Sequence, residues 1–168
     1  MSLTGPIFIG GLEKTGTTLL RTLLGKHPNL FAGLETAWFS ADIRHAWHDI
    51  TTERHQRLLA FYDIDDETDE MLKRMSKNGV EYFANAMNYC ARRREKERWV
   101  EKTPDNIMHL DLIGEEWPEA RFVHMVRDLR DVYASWKKNG KYSLSDFIRK
   151  VHAVGSAVGN RLGKRDTF

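Results

Sequence analysis

Four groups of residues have types and spacings suited to handling an anion. In Gly11-Leu12-Glu13-Lys14-Thr15-Gly16-Thr17-Thr18, two glycines separated by four residues lead into a pair of hydroxyls, and the apolar run Ile7-Phe8-Ile9 comes just before. Strand, glycine-rich turn and helix start form a junction where first-turn N–H groups, which lack intrahelical partners, converge on one anion. A Walker A loop places lysine directly after the second glycine to reach the β/γ-phosphates, with Ser or Thr next to hold magnesium. Here Thr17 takes the lysine position and the lysine has moved to Lys14, so the loop reads as an anion cradle for a nucleotide other than ATP. The second group is Arg127 and, eight residues on, Ser135. A guanidinium fork beside a hydroxyl suits a phosphate monoester, because the fork binds two oxygens and the hydroxyl a third. Lys102 in Glu101-Lys102-Thr103-Pro104, and Glu35 in Leu34-Glu35-Thr36-Ala37-Trp38-Phe39, complete the set. Each of these last two is commonplace taken singly.

Together these segments resemble sulfotransferases that use 3′-phosphoadenosine-5′-phosphosulfate (PAPS), and in motif style the bacterial, tyrosylprotein and heparan-type branch. Lys14 to Thr18 is similar to the family's 5′-phosphosulfate loop, so the resemblance implies donor binding by Lys14, Thr15, Gly16, Thr17 and Thr18. Arg127 and Ser135 resemble the 3′-phosphate motif; the family often has proline where Leu129 stands, and that proline merely presets the first helical residue. Glu101-Lys102-Thr103-Pro104 is similar to a segment whose lysine lies near the transferred group. Glu35 resembles the glutamate that serves as base, with His27 and His124 as the alternatives nearest in position. The resemblance therefore implies transfer of a sulfonate from PAPS to a hydroxyl or amine, with Lys14, Glu35 and Lys102 catalytic. The product nucleotide would be 3′,5′-adenosine bisphosphate, and no metal would be required. A small-molecule, carbohydrate or peptide acceptor fits equally well. The family's catalytic domains run longer, so the chain is expected to be a C-terminally short member, either a fragment or a reduced one.

The elements that must position these groups can be read from hydrophobic pattern. Apolar runs at 7–9 and 121–126 read as buried strands, the latter as one covered on both faces, 99–102 as a short strand ended by a turn, and 30–33 as a second buried strand or an extended connection. Helices are expected at 19–24, 37–62, 71–98 as one long helix or two with a break near Asn78-Gly79, 105–116, 129–137 and 143–158. Tyr82, Phe83, Ala86, Met87 and Cys90 form one apolar stripe, Asp105-Asn106 reads as a helix cap, and Asp128 as another. The acidic run at 64–70 reads as solvated. Strands alternating with helices argue for an α/β fold, a three-layer P-loop-like domain over residues 1–168 with a central parallel sheet, and every candidate motif falls at the carboxyl end of a strand.

Composition narrows the classes. At 168 residues, with 41% hydrophobic and 30% charged residues, the chain is long enough for one core and is not of disordered composition. A formal charge of +2 and interleaved acids and bases argue against a nucleic-acid partner. Cys90 is the single cysteine, which excludes an internal disulfide. His45 and His48 share a helical spacing but lack a third metal ligand at a recognised interval. No apolar run approaches the roughly 20 residues of a membrane span, and a cytoplasmic location is expected. The alternatives left by the residues are a small-molecule kinase of P-loop type and a non-catalytic nucleotide-binding protein of the same fold.

Overall fold

The computed structural model describes residues 5–39, 52–138, 140 and 143–163. Along the chain run β1 (Ile7–Gly11), α1 (Thr17–Leu24), β2 (Leu30–Ala32), α2 (Thr52–Tyr62), α3 (Asp66–Arg74) and α4 (Gly79–Arg93). Then come β3 (Arg98–Lys102), a 3-10 helix (Pro104–His109), α5 (Leu110–Glu116), β4 (Arg121–Met125), α6 (Leu129–Lys138) and α7 (Leu144–Gly163). Among the described residues the sheet has four strands in the order β2-β3-β1-β4, and every pairing is parallel. Helices lie on both faces. Gly25, at the end of α1, approaches Ala32 so closely that an added methyl would lie 3.2 Å from its Cβ. Phe83 of α4 packs edge-on against Trp99 at 5.7 Å, and Trp99 points to the face opposite Ala32 by the strand period of two. The expected α/β architecture with a central parallel sheet is the one observed.

The main core lies between the sheet and α4, where Phe8, Phe39, Phe83 and Trp99 are buried and meet in T-shaped contacts. The stripe read from sequence (Tyr82, Phe83, Ala86, Met87, Cys90) is completely buried. A second cluster joins Leu12, Ile107, Val132, Trp136, Phe147 and Val154, and it fastens α6 and α7 beneath the anion loop. The break near Asn78 is real: α3 stops at Arg74, and Asn78 caps α4 by accepting from the N–H groups of Val80 and Glu81 at 3.0 and 2.9 Å.

Four expectations are corrected. β4 is an edge strand, with Arg121 and His124 exposed and Phe122, Val123 and Met125 only half-buried. An apolar run reports that a strand favours burial, not which neighbour supplies it. Asn106 caps nothing; it lies inside the 3-10 helix, which Thr103 precedes, and it is buried beneath the sheet end. Residues 105–116 consequently form two helical pieces instead of one. Asp69, within the acidic run, is not solvated but buried among His55, Lys73 and Tyr82. Of the helix expected over 37–62, α2 covers Thr52–Tyr62, while His45, His48 and Trp47 lie outside the described residues.

Asp69 gives a test of the helical layer. Burial works to raise its carboxyl, but hydrogen bonds from Lys73, Tyr82 and His55 outweigh it and hold the group below the usual carboxylate range. A carboxylate depressed in the folded state stabilises above its unfolded pKa and loses that contribution as pH falls through the folded value. Asp69→Asn is expected to be less stable at neutral pH and to lose part of the acid dependence, read from thermal unfolding at stepped pH. Parallel wild-type and variant curves across the acid range would contradict this.

Candidate active site

The carboxyl end of β1 runs directly into the anion loop, whose shape depends on positive φ angles. Gly16, the residue before α1, has φ 100°, and Gly11 has φ 142° with so little space that an added Cβ would meet the Met125 carbonyl oxygen at 2.5 Å. Lys14 holds φ 68°, an uncommon conformation for a residue with a side chain. One side chain of the loop and one of α6 fix it in place. The Thr15 hydroxyl donates to Leu12 O at 2.7 Å, and Trp136 Nε1 of α6 donates to Glu13 O at 3.3 Å. The Lys14 ammonium has no hydrogen bond or ion pair among the described residues. No side chain caps α1 and its first turn has no acidic residue, so its N-terminal amides face no built-in anion.

Arg127 follows the end of β4. Its guanidinium donates to Lys14 O and to Asp131 Oδ2, both at 3.4 Å, which ties the second motif to the first. Asp128 accepts from Arg130 N at 2.8 Å, as a cap of α6 should. Ser135 lies on the second turn of α6.

The remaining two candidates meet as an ion pair. Lys102 ends β3 with its side chain almost wholly buried, and its Nζ pairs with Glu35 Oε2. Glu35 is about half exposed, so it sits at a rim of the site. The segment that carries it has no regular secondary structure. It is fastened by Tyr62, whose hydroxyl donates to Leu34 O at 3.0 Å, and by Thr103 Oγ1, which accepts from Ala37 N at 3.1 Å.

One cleft of about 510 Å³ is lined by Glu13, Lys14, Gly16, Thr17, Thr18, Glu35, Lys102, Pro104, Arg127 and Ser135. That volume suits a small organic ligand. Of the donor-binding and catalytic residues expected from sequence, Thr15 alone is withdrawn from the lining, since it is buried under the loop. The alternative bases do not reach the cleft: neither His27 nor His124 lines it, and His27 Nδ1 accepts from Asn29 N at 3.2 Å. Partial desolvation of its ring against the sheet edge lowers His124 from the usual histidine range although the residue is largely exposed. Glu13 and Pro104 line the cleft without having been singled out. Glu101 was missed as well, and it is completely buried beneath the cleft. Its burial pushes the carboxyl up, against hydrogen bonds from Asn106, Thr103 and Thr36. The signal available was periodicity, because Glu101 shares a strand face with Trp99 and therefore points into the core.

A parallel sheet whose strand ends gather Lys14, Lys102 and Arg127 beside two carboxylates, Glu13 and Glu35, has the cationic groups that an oxyanion needs. A model of the sulfotransferase family matches residues 6–159, which is most of the chain. The chain belongs to the sulfotransferase family. Among its relatives, the protein-tyrosine sulfotransferase of Drosophila melanogaster is 29% identical over 125 residues, covering 74% of this chain and 23% of that protein. Protein-tyrosine sulfotransferase 2 of Gallus gallus is 31% identical over 127 residues, covering 74% and 31%. The chain thus spans no more than a third of the length of these relatives. Sulfotransferase STF9 of Mycobacterium avium aligns over 77% of this chain and 44% of its own at 17% identity, with a TM-score of 0.38. Among the described residues no helix is long and apolar enough to cross a membrane, and no three His, Cys, Asp or Glu side chains cluster as metal ligands.

Proposed function

We propose that this chain transfers a sulfonate from PAPS to an acceptor hydroxyl or amine. The observation that carries the reading is the single cleft in which Lys14, the start of α1, Lys102, Glu35, Arg127 and Ser135 converge. The donor set fits a nucleotide with phosphate at two ends: a loop with an unengaged lysine on one side, a guanidinium and a hydroxyl on the other. In this reading Arg127 and Ser135 hold the 3′-phosphate, while the amides of Gly16 to Thr18 hold the 5′-phosphosulfate. Lys14 stabilises charge that grows on the bridging oxygen as its bond to sulfur breaks. Lys102 faces the sulfonate and keeps Glu35 at the rim. Glu35 takes the proton of the acceptor as the new sulfur–oxygen or sulfur–nitrogen bond forms, leaving 3′,5′-adenosine bisphosphate. The chain's own cations supply the charge, so the reaction is expected to proceed with divalent ions chelated.

The relatives named protein-tyrosine sulfotransferase make the phenolic hydroxyl of a tyrosine in a peptide the first acceptor to try, ahead of carbohydrate hydroxyls and amines. The test is incubation with 35S-labelled PAPS, a tyrosine-containing peptide and a chelator. Label on the peptide, with one bisphosphate formed per transfer, supports the reading. Magnesium-dependent phosphorylation from ATP, with no sulfonate transferred to any acceptor class, would overturn it in favour of a kinase.

A further inference from the structure

We propose that Glu101, sealed beneath the cleft, is the positioning residue that sets the Lys102–Glu35 pair. Its carboxylate gathers four donors from three parts of the chain. Oε1 accepts from the Thr36 hydroxyl at 2.9 Å, from Thr36 N at 3.4 Å and from the Thr103 hydroxyl at 2.7 Å. Oε2 accepts from Asn106 Nδ2, which also donates to Ile9 O at 3.3 Å. Two of these partners are immediate neighbours of the site residues: Thr36 follows Glu35 and Thr103 follows Lys102, which Glu101 itself precedes. Because side chains alternate along a strand, Glu101 points into the core while Lys102 points to the opposite face, in the register that sets Phe8 beside Glu101 and Ile9 beside Lys102.

The network is directional throughout. Each threonine hydroxyl gives its one proton to Glu101 and accepts from a backbone N–H, Thr36 from Trp38 at 3.3 Å and Thr103 from Ala37 at 3.1 Å. The Ile9 carbonyl can only accept, so it fixes the Asn106 amide with its NH2 group toward Glu101. A proton on Oε2 would face that NH2 group, hence the arrangement suits the ionised carboxylate. An ionised group at this depth is costly, and an apolar residue of similar volume would serve packing as well or better. What an apolar residue could not do is hold the irregular segment around Glu35, which lacks a ladder of its own, in register with the end of β3. That is a requirement of geometry at the site, where misplacement by about 1 Å costs about 10²-fold in rate.

The inference rests on the roles given to Lys102 and Glu35 above, so the test has one arm read by turnover and one that is independent of it. Glu101→Gln keeps the shape but turns an NH2 group toward one of the donors. It is expected to lower kcat about 10²-fold while affinity for 3′,5′-adenosine bisphosphate stays within about threefold. Thr36→Val is expected to act in the same direction, and Thr36→Ser, which keeps the hydroxyl, to retain turnover within about threefold. In 15N-lysine-labelled protein, the Lys102 ammonium resonance, identified by its loss in Lys102→Met, should move in Glu101→Gln to the position it takes in Glu35→Gln. Circular dichroism confirms that the variants are folded; should Glu101→Gln not fold, the same resonance in Thr36→Val decides. An unmoved resonance in a folded variant overturns the inference whether or not the protein transfers sulfonate. Unchanged kcat in an active enzyme also overturns it. Absence of transfer by the wild type with every acceptor defeats only the functional reading, and the resonance still decides the role of Glu101.

Discussion

Lys14→Ala is expected to lower kcat by about 10²–10³-fold, the loss typical when one fixed donor to a developing charge is removed. The expectation comes from how Lys14 is held. Its backbone sits at φ 68° in a loop braced by Thr15 and Trp136, while its ammonium has no partner among the described residues. A lysine kept in an uncommon conformation without a structural contact is placed for a ligand. Charge on the bridging oxygen grows only as the sulfur–oxygen bond breaks, so the loss falls on kcat more than on the KM for PAPS. Steady-state kinetics with PAPS varied separates the two. A raised KM with kcat unchanged would assign Lys14 to uniform donor binding and remove it from the chemistry.

Glu35→Gln is expected to lower kcat by about 10²–10⁴-fold, the usual contribution of a positioned general base. Glutamine keeps the length of the side chain and an oxygen for the Lys102 ammonium, but it cannot take a proton. Glu35 is also the carboxylate of the cleft that pairs with Lys102, whereas Glu13 forms no such contact. Product-nucleotide affinity should therefore hold within about threefold. Measured kcat in the variant within a few-fold of wild type would show that the acceptor loses its proton elsewhere.

Legibility in the sequence followed the range of the interactions. The strand, turn and helix around Lys14 are specified within a dozen residues by an apolar run, two glycines and an amphipathic segment, and they were readable. So was the Arg127 motif, where Asp128 caps the helix that carries Ser135. The placement of these segments at strand ends follows from parallel topology, which explains why one cleft gathers them. The hidden part depends on contacts distant in sequence. Glu101 meets Thr36 across 65 positions and Asn106 meets Ile9 across 97, and no local pattern announces either. Asn106 looked like a cap because asparagine favours helix starts, and tertiary demand on its amide prevailed. The acidic run around Asp69 reads as solvated by composition, yet His55 and Tyr82 from neighbouring helices, with Lys73 one turn on, draw one of its members inside. β4 reads as covered on both faces because apolar content carries no information about strand order.

The central claim is that the cleft binds a nucleotide phosphorylated at both the 3′ and 5′ positions. Calorimetric titration with 3′,5′-adenosine bisphosphate, and separately with ATP and magnesium, tests it most directly. One bound bisphosphate per chain is expected, weakened about tenfold or more by Arg127→Ala, with ATP binding far more weakly. No heat with the bisphosphate, tighter binding of magnesium ATP, or affinity indifferent to Arg127→Ala would contradict the account.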